Sequence, residues 1–169
     1  MKLYNSKTNK IETFVPIKEG QVSLYLCGPT VYDKPHIGNA RPIVVFDLLR
    51  RVLKADGYKV KFVSNFTDID DKIVEKAIQE MTSEKEVADK YIESYEAVRD
   101  NLYASGIDAK PRVTEVIDDI VEFIASLIEH GFAYDVNGDV YFRVGKVDSY
   151  GSISHQKLDE LRVGARIEE

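Results

Sequence analysis

The chain is 169 residues long, with 44% hydrophobic residues, 31% charged residues and a formal net charge of −6 at pH 7. This length fits one domain, or one domain and a small part of another, and the composition is ordinary for a soluble globular protein. The negative charge argues against a broad nucleic-acid-binding surface. The apolar runs are too short to span a bilayer and a signal-peptide pattern is lacking, so a cytoplasmic protein is expected. The single cysteine, Cys27, excludes an internal disulfide framework and an all-cysteine metal site within one chain.

The first well-marked element is a strand. Residues 1–18 form a short edge segment before it. Val22, Leu24 and Leu26 then alternate with more polar residues, which predicts a strand that ends at Gly28-Pro29.

A helix and a second strand follow. Pro42 lacks an N–H and is tolerated in a first turn, so the helix is expected to begin near residues 39–41. Gly57 is expected as a left-handed C-terminal cap, and the second strand covers residues 59–65. Strand, helix and strand form a βαβ unit, whose two strands run parallel. The apolar stripe that supports the helix consists of Val45, Leu48, Leu49 and Val52.

Parallel strands place their carboxyl ends on one edge of a sheet. Residues 27–30 and residues 65–71 are therefore expected to meet, beside the helix start at residues 36–39. Ligands in open α/β sheets bind at this edge, and the free N–H groups of a helix start favour anions such as phosphate.

Three further helices are predicted downstream. The first covers residues 71–80, Ser83 and Glu86 form a capping box for the second, and Thr114 caps the third. The apolar stripes of the second and third helices predict core positions. They are Val87, Tyr91, Tyr95, Val98 and Leu102, and Ile117, Ile120, Val121, Ile124, Leu127 and Ile128.

The C-terminal part changes its period. Asn137-Gly138, between two short apolar runs, predicts a β-hairpin with a type I′ turn. Ser154 is expected to cap a short helix through Leu158 and Leu161. One half of a doubly wound sheet is evident and the other half is not, which is typical of the front part of a larger protein.

Each motif at the predicted sheet edge has two explanations. His36-Ile37-Gly38-Asn39 donates to phosphate oxygens, or it is a turn with a capping Asn39 and a solvated His36. Cys27 is a metal-binding thiol, or a small buried residue at a strand end. Residues 67–71, with three carboxylates, form a ligand-facing loop, or they cap a helix and complement its dipole.

Taken together, the motifs closely resemble the cysteinyl-tRNA synthetases, in matching order along essentially the whole chain. The segments that carry the resemblance are CGPTVYD at 27–33, HIGNAR at 36–41, NFTDIDDK at 65–72, GDVYF at 138–142, YG at 150–151 and GAR at 164–166. The resemblance implies a class I aminoacyl-tRNA synthetase that joins L-cysteine to ATP, with Mg²⁺, as an adenylate and transfers the cysteinyl group to tRNA(Cys). It further implies a monomer with no membrane contact.

The resemblance also implies a fold and a domain layout. Residues 1–110 are expected to form the first half of a Rossmann-like parallel-sheet nucleotide-binding fold. Residues 111–169 are expected to begin an inserted connective domain, with a helix, a β-hairpin and a short helix.

Site residues follow from the same resemblance. His36 and Asn39 match the catalytic signature that binds ATP, in which Asn39 stands at the position of a second histidine. Cys27 matches the first ligand of a bound zinc ion, and Cys27, Gly28 and Thr67 match the cysteine pocket. The ATP-binding residues are Pro29, Thr30, Val31, Tyr32, Asp33, Lys34, Pro35, His36, Ile37, Gly38 and Asn39.

Other parts of the family pattern are expected beyond residue 169. These are the remaining zinc ligands, the Lys-Met-Ser-Lys-Ser phosphate loop and the anticodon-binding domain, so the chain alone is expected to be inactive. Three alternatives stay open. They are the related ligase that joins cysteine to an amino sugar in mycothiol synthesis, a non-catalytic nucleotide- or tRNA-binding module, and a structural α/β domain.

Overall fold

The computed structural model describes residues 1–155 of the chain. These residues divide into two compact units, one of Pro16–Asp118 and one of Met1–Val15 with residues 119–155. The elements are strands β1 (Lys2–Asn5), β2 (Lys10–Thr13) and β3 (Gln21–Leu26), helix α1 (Ile37–Ala55), strand β4 (Lys59–Ser64), helices α2 (Asp71–Glu80), α3 (Glu84–Asn101) and α4 (Ile117–Glu129), and strands β5 (Ala133–Val136) and β6 (Asp139–Phe142). Short 3-10 helices cover Val113–Glu115 and Val144–Lys146. The predicted domain boundary near residue 110 rests on family layout and stays a prediction.

The centre of the unit Pro16–Asp118 is the parallel pair of strands β3 and β4. Their register runs from Gln21 opposite Lys59 to Leu26 opposite Ser64. The βαβ unit that the sequence predicts is therefore confirmed. On the other side of β4, Val63 pairs with Ala109, which brings a further extended segment alongside the sheet.

Helix α1 begins earlier than Pro42 suggests. Its N-cap is His36, which agrees with the helix start expected at residues 36–39, whereas the start near residues 39–41 is wrong because Pro42 lies inside the helix. Proline is tolerated there because it removes only one hydrogen bond close to the N-terminus, the bond to the carbonyl of Gly38. The predicted C-terminal cap is confirmed, since Gly57 has a φ of +91° and donates its N–H to the carbonyl of Lys54.

The core of this unit lies between α1, α2, α3 and the strand ends. Within α3 the predicted stripe is confirmed for Val87, Tyr91 and Tyr95, which are buried, whereas Leu102 is exposed. The core cluster consists of Val31, Ile43, Phe66, Ile73, Ala77, Val87, Ala88, Tyr91, Ile92, Tyr95 and Ala104.

Helix α1 buries a different face from its apolar stripe. Ile43, Asp47 and Leu53 are its buried residues, while Val45 and Leu48 are exposed among the described residues. A two-stranded sheet covers only one side of a 19-residue helix, so part of the apolar surface of α1 stays uncovered in this unit.

The second unit contains two antiparallel hairpins. Strands β1 and β2 form a hairpin, whereas a single edge segment was expected over residues 1–18. Strands β5 and β6 form the predicted hairpin, and positive φ values of 55° at Asn137 and 97° at Gly138 confirm its type I′ turn. The short helix expected from Ser154 through Leu161 lies largely outside the described residues.

Two expectations about α4 are wrong. None of its residues is buried in the described part of the chain, so its apolar stripe is not a core face there. Two short hairpins and one helix bury little surface, which explains the exposure. Thr114 does not cap α4; its side chain donates to Asp68 instead. Across residues 1–155, no helix combines the length and the apolar character that a membrane crossing requires.

Candidate functional site

The carboxyl ends of β3 and β4 meet as predicted. Thr30 pairs with Thr67 in a parallel bridge beyond the ends of both strands. The N–H of Val31 donates to the carbonyl of Thr67 at 3.1 Å, and the N–H of Thr67 donates to the carbonyl of Pro29 at 3.0 Å. Residues 27–31 are thus held against residues 65–67.

Between the regular pairing and this bridge, the side chain of Asn65 joins the two segments that follow β3 and β4. The N–H of Gly28 donates to Asn65 Oδ1 at 2.8 Å, and Tyr25 Oη donates to the same oxygen at 3.0 Å. Asn65 Nδ2 donates to Thr67 Oγ1 at 3.3 Å. A Cβ atom on Gly28 would lie 1.5 Å from the carbonyl oxygen of Asn65, so glycine is the only residue that fits.

The start of α1 is organised by His36 and Asn39. His36 Nδ1 accepts the N–H of Gly38 at 2.9 Å, and Asn39 Oδ1 accepts the N–H of His36 at 2.9 Å. Both side chains cap the helix, with His36 rather than Asn39 as the N-cap, and the phosphate-binding explanation stays a prediction. Because Nδ1 accepts, a neutral His36 carries its proton on Nε2, which leaves Nε2 and Asn39 Nδ2 as donors for a ligand.

Gly38 leaves room for the imidazole ring. A Cβ atom at this position would lie 2.6 Å from His36 Cε1 and 2.9 Å from Nδ1. The glycine therefore permits the ring of His36 to lie over the first turn of the helix.

A cavity of about 150 Å³ opens beside this helix start. It contains most of the predicted ATP-binding residues, but Ile37, Gly38 and the predicted cysteine-pocket residues Cys27, Gly28 and Thr67 do not line it. Small-molecule pockets commonly enclose about 300–1,000 Å³, so the cavity suits part of a nucleotide. Its lining consists of Pro29, Thr30, Val31, Tyr32, Asp33, Lys34, Pro35, His36, Asn39, Tyr91 and Tyr95.

Tyr91 and Tyr95 are lining residues that the sequence assigned only to the core. Tyr95 packs edge-on against Phe66 with ring centroids 5.8 Å apart, and burial raises the pKa of Tyr95 although the Arg99 charge opposes it. Tyr91 donates its hydroxyl to Glu80 Oε1 at 3.1 Å. The sequence contained one signal for a polar site here. Both residues are tyrosines at core spacing, and a buried tyrosine hydroxyl requires a polar partner.

Two lysines of α2 lie next to the cavity, together with the carboxylates of Asp33 and Glu75. Lys72 Nζ lies 5.1 Å from the ring centroid of Tyr32. A neighbouring cavity of about 310 Å³ includes Lys72 and Lys76 and shares Tyr32 and Asp33 with the first. Burial opposes the charge on Lys76, but nearby groups, including the Asp33 carboxylate, raise its pKa, so Lys76 stays an ammonium.

The carboxylates of residues 68–71 have structural partners. Asp68 is buried and accepts the N–H and the hydroxyl of Thr114 at 3.0 and 2.6 Å. Asp70 caps α2 by accepting the N–H of Lys72 at 3.0 Å, and Asp71 lies in the first turn. For Asp70 and Asp71 this geometry supports helix capping and dipole complementation, and Asp68 binds Thr114 rather than facing a ligand.

Cys27 is exposed, so its explanation as a small buried residue is wrong. A zinc ion takes about four ligands. Residues 1–155 contain no group of three or more His, Cys, Asp or Glu side chains arranged to hold a metal. The described residues therefore do not by themselves fit a zinc ion.

The other histidines contact backbone carbonyls within the second unit. His130 Nδ1 lies 2.8 Å from the carbonyl of Ser126, and His155 Nε2 lies 2.6 Å from the carbonyl of Ser6. Neither contact resembles a ligand site.

Solved structures share this fold. The Mycobacterium tuberculosis methionyl-tRNA synthetase in complex with methionyl-adenylate has a TM-score of 0.60 and 20% identity, covering 66% of this chain and 23% of that chain. The Agrobacterium radiobacter K84 agnB2 LeuRS in its ternary complex with tRNA and LeuAMS has a TM-score of 0.58 and 20% identity, covering 71% of this chain and 16% of that chain. The fold is thus the α/β parallel-sheet fold of class I synthetases with Rossmann-like catalytic domains.

Sequence comparison identifies the family within that class. The family model described as "tRNA synthetases class I (C) catalytic domain" matches residues 13–169. The chain belongs to this family. A curated relative, the "Cysteine--tRNA ligase" of Brevibacillus brevis (strain 47 / JCM 6285 / NBRC 100599), is 52% identical over 168 residues, which are 99% of this chain and 36% of that protein. The chain thus spans roughly a third of the length of this relative.

Proposed function

We propose that this chain forms the nucleotide-binding part of the catalytic fold of a cytoplasmic, monomeric cysteine–tRNA ligase. Such an enzyme activates L-cysteine with ATP and transfers the cysteinyl group to tRNA(Cys). The observation that carries the proposal is the start of α1. There, His36 Nε2 and Asn39 Nδ2 take no part in the capping bonds and can donate to a ligand beside a cavity. The relative that is 52% identical supports cysteine as the amino acid.

The chemistry suits donors that do not act as nucleophiles. An oxygen of the cysteine carboxylate attacks the α-phosphorus of ATP, a new O–P bond forms, and pyrophosphate leaves as the α–β bond breaks. No proton changes place in this step, so the protein has to position the reactants and stabilise negative charge. The N-terminus of α1, His36 Nε2 and Asn39 Nδ2 serve this purpose. Lys72 and Lys76 lie nearby, where the carboxylates of Asp33, Glu75 and Glu80 balance their charge.

The amino-acid side of the site lies at the neighbouring strand ends. Cys27 and Thr67 are held there by the pairing of residues 27–31 with residues 65–67. We propose that Cys27 is one ligand of a zinc ion whose other ligands lie outside the described residues, and that Mg²⁺ accompanies ATP. Zinc binds thiolate well, which would favour cysteine over serine.

Cysteine-dependent ATP–pyrophosphate exchange by the full gene product tests the proposal. We expect exchange with cysteine, little with serine, and a loss of about 10²–10³-fold in His36→Ala. His130→Ala, an exposed histidine in the second unit, is the matched control and is expected to retain exchange. An unchanged rate in His36→Ala would contradict the assignment of this helix start.

The acceptor of the cysteinyl group distinguishes a cysteine–tRNA ligase from the related ligase of mycothiol synthesis. We expect transfer to tRNA(Cys) and none to an amino sugar. Transfer to an amino sugar would favour the mycothiol ligase, and ATP binding without exchange would favour a non-catalytic module.

The 169-residue chain alone is expected to be inactive in exchange. Its described residues hold no three-ligand metal group, and the cavity of about 150 Å³ encloses only part of a nucleotide. Measurable cysteine-dependent exchange by the purified chain would refute this expectation.

A further inference from the structure

We infer that Asn65 is a positioning residue for the amino-acid side of the site. In this inference, Asn65 sets the positions of the Cys27-Gly28 backbone and of the Thr67 hydroxyl, and through them the affinity for the amino acid rather than for ATP. The inference rests on the proposed function and concerns a residue to which the family resemblance assigned no role.

Asn65 fills the one gap in the pairing of the two strands. Regular pairing ends at Leu26 opposite Ser64 and resumes at Thr30 opposite Thr67. In between, the N–H of Gly28 bonds to the side-chain oxygen of Asn65 at 2.8 Å rather than to a backbone carbonyl. Cys27 lies within this interrupted stretch, so the amide of Asn65 holds the backbone next to the thiol.

The chemistry of its partners fixes the orientation of the Asn65 amide. A backbone N–H can only donate, so the atom facing Gly28 has to be Oδ1. The exposed hydroxyl of Tyr25 also donates to this oxygen, at 3.0 Å. The NH₂ group therefore points to Thr67 Oγ1, 3.3 Å away.

This orientation determines what the Thr67 hydroxyl can do. Because Oγ1 accepts a hydrogen bond from Asn65, the hydroxyl proton of Thr67 points elsewhere and is available to donate to a bound ligand. A carboxylate at position 65 would accept where the amide donates, and Thr67 would turn its proton toward it. Asn65→Asp thus keeps the size of the side chain and the acceptor for Gly28, but reverses the bond to Thr67.

The effect is expected to be confined to one half of the site. Cys27, Asn65 and Thr67 do not line the cavity beside His36. The start of α1 is held by its own capping bonds between His36, Gly38 and Asn39. A change at position 65 should therefore alter amino-acid binding and leave ATP binding nearly unchanged.

The test compares Asn65→Ala and Asn65→Asp in the full gene product by cysteine-dependent exchange. Both are expected to raise KM for cysteine about tenfold or more, with KM for ATP within about twofold. Asn101→Ala and Asn101→Asp are the matched controls, since Asn101 is exposed at the end of α3, and they are expected to leave both constants unchanged. KM does not depend on the concentration of active enzyme, so partial unfolding of a variant does not alter it.

Each outcome has one meaning. A cysteine KM that stays within twofold in both variants at position 65, or an equal rise in KM for ATP, would overturn the inference. A variant without exchange supports it if ATP binding is retained and overturns it if ATP binding is lost as well.

A second measurement keeps the inference separate from the proposed function. Cys27 is the only cysteine of the 169-residue chain, so its alkylation by iodoacetamide reports the surroundings of this one thiol. We expect the alkylation rate to change at least about threefold in Asn65→Ala and to stay constant in Asn101→Ala. If the wild type shows no exchange but the alkylation rate of Cys27 changes in Asn65→Ala, only the proposed function is refuted. If the alkylation rate does not change in Asn65→Ala, the positioning role is refuted.

Discussion

Asp68 and Thr114 are joined by two hydrogen bonds across 46 positions of the chain. The carboxylate accepts the N–H of Thr114 at 3.0 Å and its hydroxyl at 2.6 Å, and Asp68 is only 7% exposed. This pair connects the segment after β4 to the 3-10 helix Val113–Glu115. The first acidic residue of the motif at 68–71 therefore stabilises the fold.

Replacing either partner should lower the free energy of unfolding. We expect Asp68→Asn and Thr114→Val each to cost about 1–3 kcal/mol, because a buried polar group then loses a partner. Urea unfolding followed by circular dichroism measures the change. Asp119→Asn, at an exposed position, is the control and should stay within about 0.5 kcal/mol of wild type. An equal effect at both aspartates would contradict a specific role of the Asp68–Thr114 pair.

Gly28→Ala is expected to destabilise the strand ends severely. The added Cβ would lie 1.5 Å from the carbonyl oxygen of Asn65, which is backbone and cannot rotate away. We expect a loss of at least about 3 kcal/mol in urea unfolding, or failure to fold. Gly57→Ala is the comparison, because Gly57 has a φ of +91° but open space around it. It should cost about 1–2 kcal/mol from backbone strain alone, and a larger loss there than at Gly28 would refute the steric explanation.

Gly38→Ala is expected to separate stability from nucleotide binding. The added Cβ would meet the ring of His36 at 2.6 Å, and the ring can turn away. Loss of the bond from the Gly38 N–H to His36 Nδ1 costs about 1 kcal/mol. Alanine stabilises a helix by about the same amount relative to glycine, so the free energy of unfolding should change little. ATP binding by the full gene product, measured by calorimetry, should weaken about tenfold because the ring no longer lies over the helix start. Gly145→Ala, which meets no atom within 4 Å, should leave binding unchanged, and unchanged binding in Gly38→Ala would contradict a role of the His36 ring.

The capping box of α3 predicts a pH dependence of stability. Hydrogen bonds from Thr82 and from the backbone and side chain of Ser83 lower the pKa of Glu86 from 4.5 to about 2. A carboxyl whose pKa is lower in the folded state stabilises fully above its unfolded value, and this contribution is lost as the pH falls from about 4.5 toward 2. The difference in Tm between wild type and Glu86→Gln should therefore shrink over this range.

Thermal unfolding between pH 6 and 2 measures this difference. Glu84→Gln, which removes a carboxylate from the same first turn, is the control. A Tm difference for Glu86→Gln that is constant across the range would contradict the lowered pKa.

Much of the backbone architecture was predictable because its signals are local. The alternation in β3, Gly57 after α1, the Ser83–Glu86 capping box and the Asn137-Gly138 turn each depend on residues only a few positions apart. The expectation that residues 27–30 and 65–71 meet also followed, because parallel strands place their carboxyl ends on one edge.

Other features were missed because their partners are distant in the chain. The sequence gives no sign that Asn65 reaches Gly28, 37 positions away, or that Thr114 bonds Asp68 rather than capping α4. Pro42 suggested a later start for α1, because the mutual bonds of His36 and Asn39 that begin the helix depend on side-chain orientation.

The order of most elements, the parallel βαβ unit and the motifs of the family could be read from the sequence alone. Which faces are covered and where side chains point became visible only in the folded chain: Tyr91 and Tyr95 line a cavity, while the apolar stripe of α4 lies uncovered in the described residues. Periodicity and capping act over a few residues, whereas burial and side-chain pairing depend on segments that only folding brings together.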